Sequence, residues 1–330
     1  MPQSENKAMV KKGWHWTPDE PVQLSPLFSW PPRFLSIVKW IMSSWAIITV
    51  RAMILGLSFA TWYLFQPPLE ECMTFQPGWM FQIWIRNLAL MFCVAGGLHL
   101  YFFTFKKQAN DRKFDPRPLA KESRLFLFGN QVHDNMFWTL ASGVSIWTFF
   151  EWITFWGYAN GYVPMMNFTD NPVWFILVFM LIPIWGSFHF YWIHRALHWP
   201  PLYKFAHSLH HRNINIGPWS GMSMHPLEHI FYLSTGLIHW LVVSHPVHFL
   251  FHMQVKALEA ATSHSGYESL FVRDKQQLVI GDFFHQMHHR YFECNYGTLE
   301  MPWDRWFGSF HDGTEEAADK IRTRRNYSEN

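Results

Sequence analysis

Four stretches of the chain are almost free of charged residues, and each is about as long as a lipid bilayer is thick. A helix needs about 20 mostly apolar residues to cross the hydrocarbon core of a bilayer. The stretches contain one arginine and one glutamate between them, and they are Trp40–Phe65, Asn87–Phe105, Met136–Tyr158 and Pro172–Ile193. They predict four transmembrane helices within residues 36–193 of an all-α integral membrane protein.

The charges of the connecting segments predict the orientation of these helices. Residues 106–131 contain seven Lys and Arg residues, whereas residues 66–82 and 159–171 contain none. Because basic loops stay on the cytoplasmic side of a membrane, we expect residues 106–131 to be cytoplasmic. An even number of spans then leaves both termini, and everything after Ile193, on the cytoplasmic side.

A fifth uncharged stretch, His229–Gln254, bears on this topology. Pro246 divides it into two apolar pieces, each short for a full crossing, because proline ends or kinks a helix. We therefore expect a hairpin or interfacial helices that enter the membrane and return. A single crossing is the alternative, and it would put the C-terminal third of the chain on the opposite side. With a hairpin, residues 194–313 form a cytoplasmic helical cap, and residues 1–35 and 314–330 are mobile ends.

Composition agrees with a membrane protein and excludes several functions. Of 330 residues, 49% are hydrophobic, 19% aromatic and only 15% charged, which is fewer charges than soluble proteins usually carry. A net charge of +2 gives no reason to expect a nucleic-acid partner. Cys72, Cys93 and Cys294 form no CxxC pair, so neither a disulfide framework nor a thiolate metal site is predicted. The polar N-terminus does not resemble a cleaved secretory signal.

Histidines are concentrated in the C-terminal half of the chain, where their spacing repeats. Seventeen of the 20 histidines lie between His189 and His311. Residues three or four positions apart share a face of a helix, so each repeat directs two or three imidazoles to one point. The repeats are HxxxH at His194 and His198, HxxHH at His207, His210 and His211, and HxxHH at His285, His288 and His289. Nitrogen-rich clusters of this kind predict a centre with more than one metal ion, iron or zinc.

Between residues 191 and 310 the chain resembles the integral-membrane fatty acid hydroxylase and sterol desaturase superfamily. The motifs that carry the resemblance are YWIHRALH, YKFAHSLHH, HPLEH, HSGYE, HQMHH, NYG and WDRWFGSF. Three of them, HPLE, HSGY and WDRWFG, are most similar to the sterol 4-methyl oxidase branch. The resemblance implies a centre of two iron ions, with zinc possible in a purified sample. Its ligands would be His194, His198, His207, His210, His211, His264, His285, His288 and His289, with His225 as a further candidate.

The same resemblance implies a reaction and its partners. A lipid monooxygenase or desaturase of this kind uses dioxygen to oxidise an unactivated C–H bond of an apolar lipid, such as a sterol, acyl chain, sphingolipid or carotenoid. The chain has no GxGxxG fingerprint and no haem or iron–sulfur cysteine motif. Electrons would therefore come from a separate cytochrome b-type protein or ferredoxin with its reductase. The membrane would be the endoplasmic reticulum or a bacterial inner membrane. The alternative function is a non-catalytic zinc- or lipid-binding protein on the same scaffold.

One position departs from the superfamily pattern. An Asp commonly stands seven residues before the first histidine motif, where this chain has Ser187, and the nearby His189 is a candidate to take over its role. Carboxylates in or near the motifs are candidates to orient ligand imidazoles, although surface or structural roles are equally open. These carboxylates belong to Glu228, Glu259 and Glu268.

Several residues have a structural interpretation instead of a catalytic one. His245, His248 and His252 have helical spacing, but they lie in the fifth uncharged stretch and outside the motifs. We expect them to bond to backbone or to face the interface, and we rank His229 below His225 as a ligand. Asn295 is expected to form a turn. Aromatic residues of the third stretch either line a lipid groove or pack helices together; they are Trp138, Trp147, Phe150, Trp152 and Phe155. His15, His99 and His133 receive no functional role.

Overall fold

The computed structural model describes residues 14–29, 31–45 and 49–328, and it is mostly helical. Parts of the predicted mobile ends and of the first predicted span lie outside the described residues, namely 1–13, 30, 46–48 and 329–330. The helices are α1 Phe34–Trp45, α2 Val50–Phe65, α3 Pro77–Thr104, α4 131–159, α5 Pro172–Leu197, α6 200–211, α7 Pro226–Leu233, α8 Pro246–Ser263, α9 Phe283–Tyr291, α10 Trp303–Trp306 and α11 Glu315–Ser328. Short 3-10 segments occur at Pro26–Phe28, Leu69–Met73, Pro218–Ser220 and Ser234–Trp240.

The all-α prediction has one exception, a two-stranded antiparallel hairpin. It consists of β1 Ser269–Val272 and β2 Lys275–Val279. Arg273 and Asp274 form its turn with φ of 51° and 61°, the left-handed values that the commonest two-residue hairpin turn requires. The hairpin connects α8 to α9, and both of these helices lead into the histidine-bearing region.

Within the described residues, two helices are long and apolar enough to cross a membrane. They are α3, with 28 residues and a mean hydropathy of 1.5, and α5, with 26 residues and a mean hydropathy of 1.9. They correspond to the second and fourth predicted spans. The first predicted span is divided between α1 and the shorter apolar helix α2, and the third lies within α4. The count of four crossings therefore stays a prediction.

Proline and short polar side chains determine where several of these helices begin. Proline occupies the first turn of α3, α5, α7 and α8, where its fixed φ suits a helix and its missing N–H costs nothing. The side chain of Asn171 accepts a hydrogen bond from the backbone N–H of Trp174 at the start of α5. Asn130 caps α4 in the same way. These caps satisfy backbone donors that the helix itself leaves unpaired.

A buried ion pair joins α3 to α4 and accounts for the single charge in the third predicted span. The Arg86 guanidinium pairs with the Glu151 carboxylate, and both side chains are buried. Asn87 Nδ2 and Trp147 Nε1 donate further hydrogen bonds to Glu151 at 3.0 and 2.8 Å. Charges in an apolar interior persist when they are paired and hydrogen-bonded. The ion pair, together with hydrogen bonds between the two helices, therefore fixes their register.

The stretch His229–Gln254 is a hairpin in the structure. One limb is α7 with the 3-10 segment that continues it, and the other limb is α8. The tip lies against the connection between α4 and α5, because Ser244 N donates to Pro164 O at 3.3 Å and Trp174 Nε1 donates to Val243 O at 3.0 Å. α8 is buried along nearly its whole length among α2, α5 and the other apolar helices. The hairpin thus begins and ends on the side of the helical bundle that carries the histidine motifs, and its tip lies at the opposite end.

Both described ends of the chain contact the body of the protein. The ring of Trp14 is 6% exposed and lies 5.1 Å from the ring of Phe283 in α9. The backbone N–H of Val22 donates to Asp312 O at 2.7 Å, shortly before α11. These contacts hold the N-terminal segment over the region that carries the histidines.

Candidate metal centre

Four segments of the chain bring histidines to one place. The last turn of α5 and the residue that follows it supply the first pair, and α6 supplies the next three. One more histidine follows the last residue of α8, and α9 supplies three. In chain order these residues are His194, His198, His207, His210, His211, His264, His285, His288 and His289.

The nine imidazoles form two groups, and within each group the ligand nitrogens lie within 4.8 Å of one another. The five-histidine group consists of His194, His198, His207, His211 and His288. The four-histidine group consists of His210, His264, His285 and His289. Adjacent members of the HxxHH motifs fall into different groups, because consecutive residues of a helix are about 100° apart around its axis. The two motifs therefore each contribute to both groups.

The spacing of the ring nitrogens fits metal binding. In the five-histidine group, His198 Nε2 is 3.1 Å from His211 Nε2 and 3.2 Å from His288 Nε2. In the four-histidine group, His264 Nε2 is 3.1 Å from His289 Nε2 and 3.2 Å from His285 Nε2. Two nitrogens at about 2.1 Å from one metal ion, on adjacent octahedral positions, are about 3.0 Å apart. Each group therefore has the geometry to hold one ion.

Hydrogen bonds to Nδ1 turn the rings so that Nε2 faces the centre of each group. Backbone carbonyls accept from the Nδ1–H of His194 (Tyr296 O, 2.7 Å), His264 (Ala260 O, 2.9 Å) and His288 (Cys294 O, 2.6 Å). A carbonyl accepts and never donates, so the proton lies on Nδ1 and the lone pair on Nε2. Partners of this kind fix the tautomer and orientation of metal-binding histidines.

Burial keeps these imidazoles neutral. Desolvation lowers the pKa of His210 to about 4 and lowers the pKa of His211, His264 and His288 well below the usual value. Neighbouring imidazoles lower the pKa of His211 and His288 further, because two positive charges at this distance repel. Neutral imidazole is the form that ligates metal. At neutral pH these imidazole nitrogens can therefore bind metal cations without first losing a proton.

Glu228 is the one candidate carboxylate that contacts a histidine group. Its Oε1 accepts from His207 Nδ1 at 2.8 Å, as the prediction of an orienting carboxylate expects. Glu259 instead pairs with Arg51, and the Oε2 of Glu268 lies 3.7 Å from the guanidinium of Arg112.

The tenth candidate ligand, His225, lies outside both groups. Its Nδ1 accepts from the backbone N–H of Leu227 at 3.2 Å and so caps α7, while its ring packs on Phe205 at 5.0 Å. His229 is also outside the groups, because its ring bonds to Ser142 Oγ at 2.9 Å and to Met222 O at 3.1 Å.

Three histidines of the hairpin form hydrogen bonds with other residues of the chain. His248 Nε2 donates to Phe175 O at 2.8 Å. His252 lies 3.1 Å from Thr235 Oγ1 and 3.2 Å from His239, and His245 caps α8. These contacts agree with the expectation of structural hydrogen bonds.

Ser187, at the position where the superfamily commonly has Asp, and the nearby His189 form hydrogen bonds away from the two histidine groups. Ser187 Oγ is 2.9 Å from Thr298 Oγ1, and His189 Nε2 is 3.1 Å from Ser234 Oγ. His189 therefore does not take over the role of the missing Asp. Asn295 has a φ of 55° and bonds to the backbone of Phe284 and His311, so it forms the expected turn.

A cavity of about 660 Å³ opens beside both histidine groups. Its wall includes His194 and His207 from the five-histidine group and His210, His264 and His285 from the four-histidine group. α5 and α8 contribute more of the remaining wall than any other helix, and the N-terminal segment, the start of α2 and the residues around 280 and 300 complete it. The aromatic residues of the third predicted span are not in this wall; Trp147, Phe150 and Phe155 are buried in the main apolar core instead. These aromatic residues therefore pack helices together and do not line this cavity.

Comparison with known proteins identifies relatives of this region. Residues 177–309 match the family model described as fatty acid hydroxylase. The chain is 31% identical over 167 residues to a Delta(7)-sterol 5(6)-desaturase of Aspergillus fumigatus, covering 48% of this chain and 45% of that protein. It is 33% identical over 139 residues to a Delta(7)-sterol-C5(6)-desaturase of Nicotiana tabacum, covering 41% and 50%.

A Delta(7)-sterol 5(6)-desaturase of Candida albicans is 34% identical over 139 residues, which cover 42% of this chain and 34% of that protein. The matched part thus spans half or less of the length of these relatives. These relatives are named as sterol 5(6)-desaturases, so the expected similarity to the sterol 4-methyl oxidase branch stays a prediction. No solved structure matches the chain.

Proposed function

Because the chain belongs to the fatty acid hydroxylase and sterol desaturase superfamily, we propose that it is a membrane-bound oxygenase that oxidises a C–H bond of a lipid. The observation that carries the proposal is the pair of buried, all-nitrogen histidine groups beside one cavity. The names of the relatives favour desaturation of a sterol. They do not favour the non-catalytic alternative.

In this proposal each histidine group holds one iron ion. The nine imidazoles and their Nε2 spacing suit such ions, which supply the activation of dioxygen and the oxidation of the C–H bond. His225 is not part of the proposed ligand set. The two groups share α6 and α9, and both contribute to the wall of the same cavity.

The protein's own residues would position the ligands and exclude water. Carbonyls and Glu228 hold the Nδ1 protons of His194, His207, His264 and His288, so that the Nε2 atoms of these four rings keep their direction. The rings of Phe190 and Tyr296 pack on His194 and His198, with centroids 4.9 Å apart in each case. The cavity beside the histidine groups would hold the lipid. Electrons would come from a separate cytochrome b-type protein or ferredoxin with its reductase.

We further propose an integral-membrane location with the histidine groups and both termini in the cytoplasm. α3 and α5 have the length and hydropathy of spans, and the basic segment 106–131 favours the cytoplasmic side. The hairpin supports the same arrangement, because it begins and ends near the histidine groups.

The proposal is tested by metal content and lipid products of the same variants. We expect the full chain in native membranes to convert a Δ7-sterol in the presence of dioxygen and a reductase system, and to contain two metal ions per chain. His288→Ala removes a ligand and should abolish conversion while the protein still inserts. His133→Ala is the matched control, since His133 is exposed and outside both groups. Full conversion by His288→Ala would overturn the proposal.

A further inference from the structure

Four charged side chains line the cavity away from the histidine groups. The Arg51 guanidinium pairs with Glu300 and, at 3.0 Å, with Glu259. Lys256 Nζ donates to Gly186 O at 3.0 Å. We call Arg51, Lys256, Glu259 and Glu300 the charged cluster; all four belong to the cavity wall. The helices that form this wall are otherwise strongly apolar.

Lys256 has hydrogen-bonding capacity that the described residues do not use. An ammonium group has three N–H donors, and Gly186 O is the one acceptor within hydrogen-bond distance among the described residues. The rings of Phe190 and Tyr232 lie 5.4 and 5.5 Å from Nζ. A side chain on Gly186 would approach Lys256 Cε to 3.2 Å and Nζ to 3.3 Å. The glycine therefore permits the close approach that keeps the ammonium at the cavity wall.

The position of the charged cluster relative to the histidines follows from two helices independently. Lys256 precedes His264 by eight residues on α8, and its acceptor Gly186 precedes His194 by eight residues on α5. At a rise of 1.5 Å per residue, both offsets are about 12 Å. Glu259 precedes His264 by five residues, or about 8 Å. Along the helix axes, the backbone positions of the charged cluster therefore lie about 8–12 Å before those of the histidines.

The charges of the cluster select the chemistry of the ligand group. Two other carboxylates of the wall are engaged elsewhere, Glu228 by His207 and Asp282 by the backbone N–H of His285. In the charged cluster, an anionic headgroup would meet Glu259 and Glu300, and a cationic headgroup would meet Lys256. A neutral hydroxyl suits all of them, because it accepts from an ammonium and donates to a carboxylate. Buried charged groups also penalise a ligand that lacks the matching polar group, since they then stay unpaired.

We propose that the charged cluster binds a neutral hydroxyl group of the lipid and thereby determines which carbon reaches the histidine groups. The hydroxyl accepts from Lys256 Nζ and donates to Glu259 or Glu300. This inference rests on the proposed function for the identity of the ligand as a lipid substrate.

Binding of two lipids that differ at one atom tests the inference without turnover. The probes are a Δ7-sterol with a free hydroxyl and its O-methyl ether, which cannot donate. We expect the full chain in nanodiscs to bind the free sterol at least tenfold more tightly than the ether. Lys256→Met keeps the length of the side chain and should reduce this ratio to below about threefold. Lys204→Met is the control, because Lys204 is exposed and outside the cavity.

An unchanged ratio in Lys256→Met, with metal content intact, would overturn the inference. If Lys256→Met does not assemble, Glu300→Gln removes an acceptor from the other side of the cluster and should also reduce the ratio. Turnover by a wild-type protein that binds both sterols equally would sink the inference and leave the proposed function standing. A wild-type protein that prefers the free sterol but shows no turnover would support the inference and contradict the proposed function.

Discussion

At the scale of single residues, the groups that orient the imidazoles matter as much as the imidazoles. Three of the Nδ1 partners are backbone carbonyls, of Ala260, Cys294 and Tyr296. Glu228 is the carboxylate among the Nδ1 partners, and mutation can remove it without touching a proposed ligand. It therefore offers a direct measure of what the orientation contributes.

Replacement of Glu228 should weaken metal binding without removing a ligand. We expect Glu228→Ala to lower metal affinity or activity by about 10–100-fold, because His207 loses the partner that fixes its ring. Glu228→Gln should have a smaller effect, since the amide oxygen still accepts from Nδ1. Competition with a chelator measures affinity for each variant. Equal affinity of the alanine variant and the wild type would show that His207 does not depend on this bond.

The histidines of the hairpin provide the opposite case. We expect the double variant His248→Gln/His252→Gln to keep two metal ions per chain, because both rings bond to the protein and neither belongs to a histidine group. Glutamine retains hydrogen-bonding capacity but ligates metal poorly. Metal analysis of the purified variant checks this. Loss of one equivalent would instead place the hairpin in the metal centre.

At the scale of elements, a few polar contacts fix the alignment of apolar helices. The hairpin tip is held by Ser244 and Val243 against the α4–α5 connection. Near the same end of the bundle, Tyr158 and Ser244 hydroxyls lie 2.9 Å apart. Apolar packing has little directional preference, so such bonds decide which of several registers is adopted.

The ion pair between α3 and α4 should be sensitive to the loss of one partner. Glu151→Leu leaves Arg86 buried without its carboxylate, and we expect a loss of stability of about 3–5 kcal/mol. Arg86→Met/Glu151→Leu should recover most of this loss, because neither charge then remains. Thermal unfolding in detergent measures both. As a control, Glu316→Leu removes an exposed pair with Lys320 and should change stability by less than about 1 kcal/mol. A double variant no more stable than Glu151→Leu would contradict this account.

At the scale of the whole molecule, the proposed topology has a direct test. Single cysteines at Lys107 and Lys320, in a chain without its three native cysteines, should be labelled from the cytoplasmic side by an impermeant reagent. A cysteine at Phe168, in the connection between α4 and α5, should be labelled from the other side only. The reason is the charge of the connections, seven basic residues in 106–131 and none in 159–171. Labelling of Lys107 and Lys320 from opposite sides would mean an odd number of crossings between them.

The sequence by itself predicted the family, the helical character and three histidine repeats, because spacing at three and four residues is a local property of a helix. His264 stands outside these repeats, and only the resemblance to the superfamily pointed to it. It also predicted the returning hairpin, since Pro246 marks its second limb. Only the tertiary structure decided that members of one HxxHH motif serve different groups, that His225 caps a helix, and that Arg51, Glu259 and Glu300 meet. These outcomes depend on contacts between residues far apart in the chain and on backbone carbonyls, whose positions no residue letter encodes.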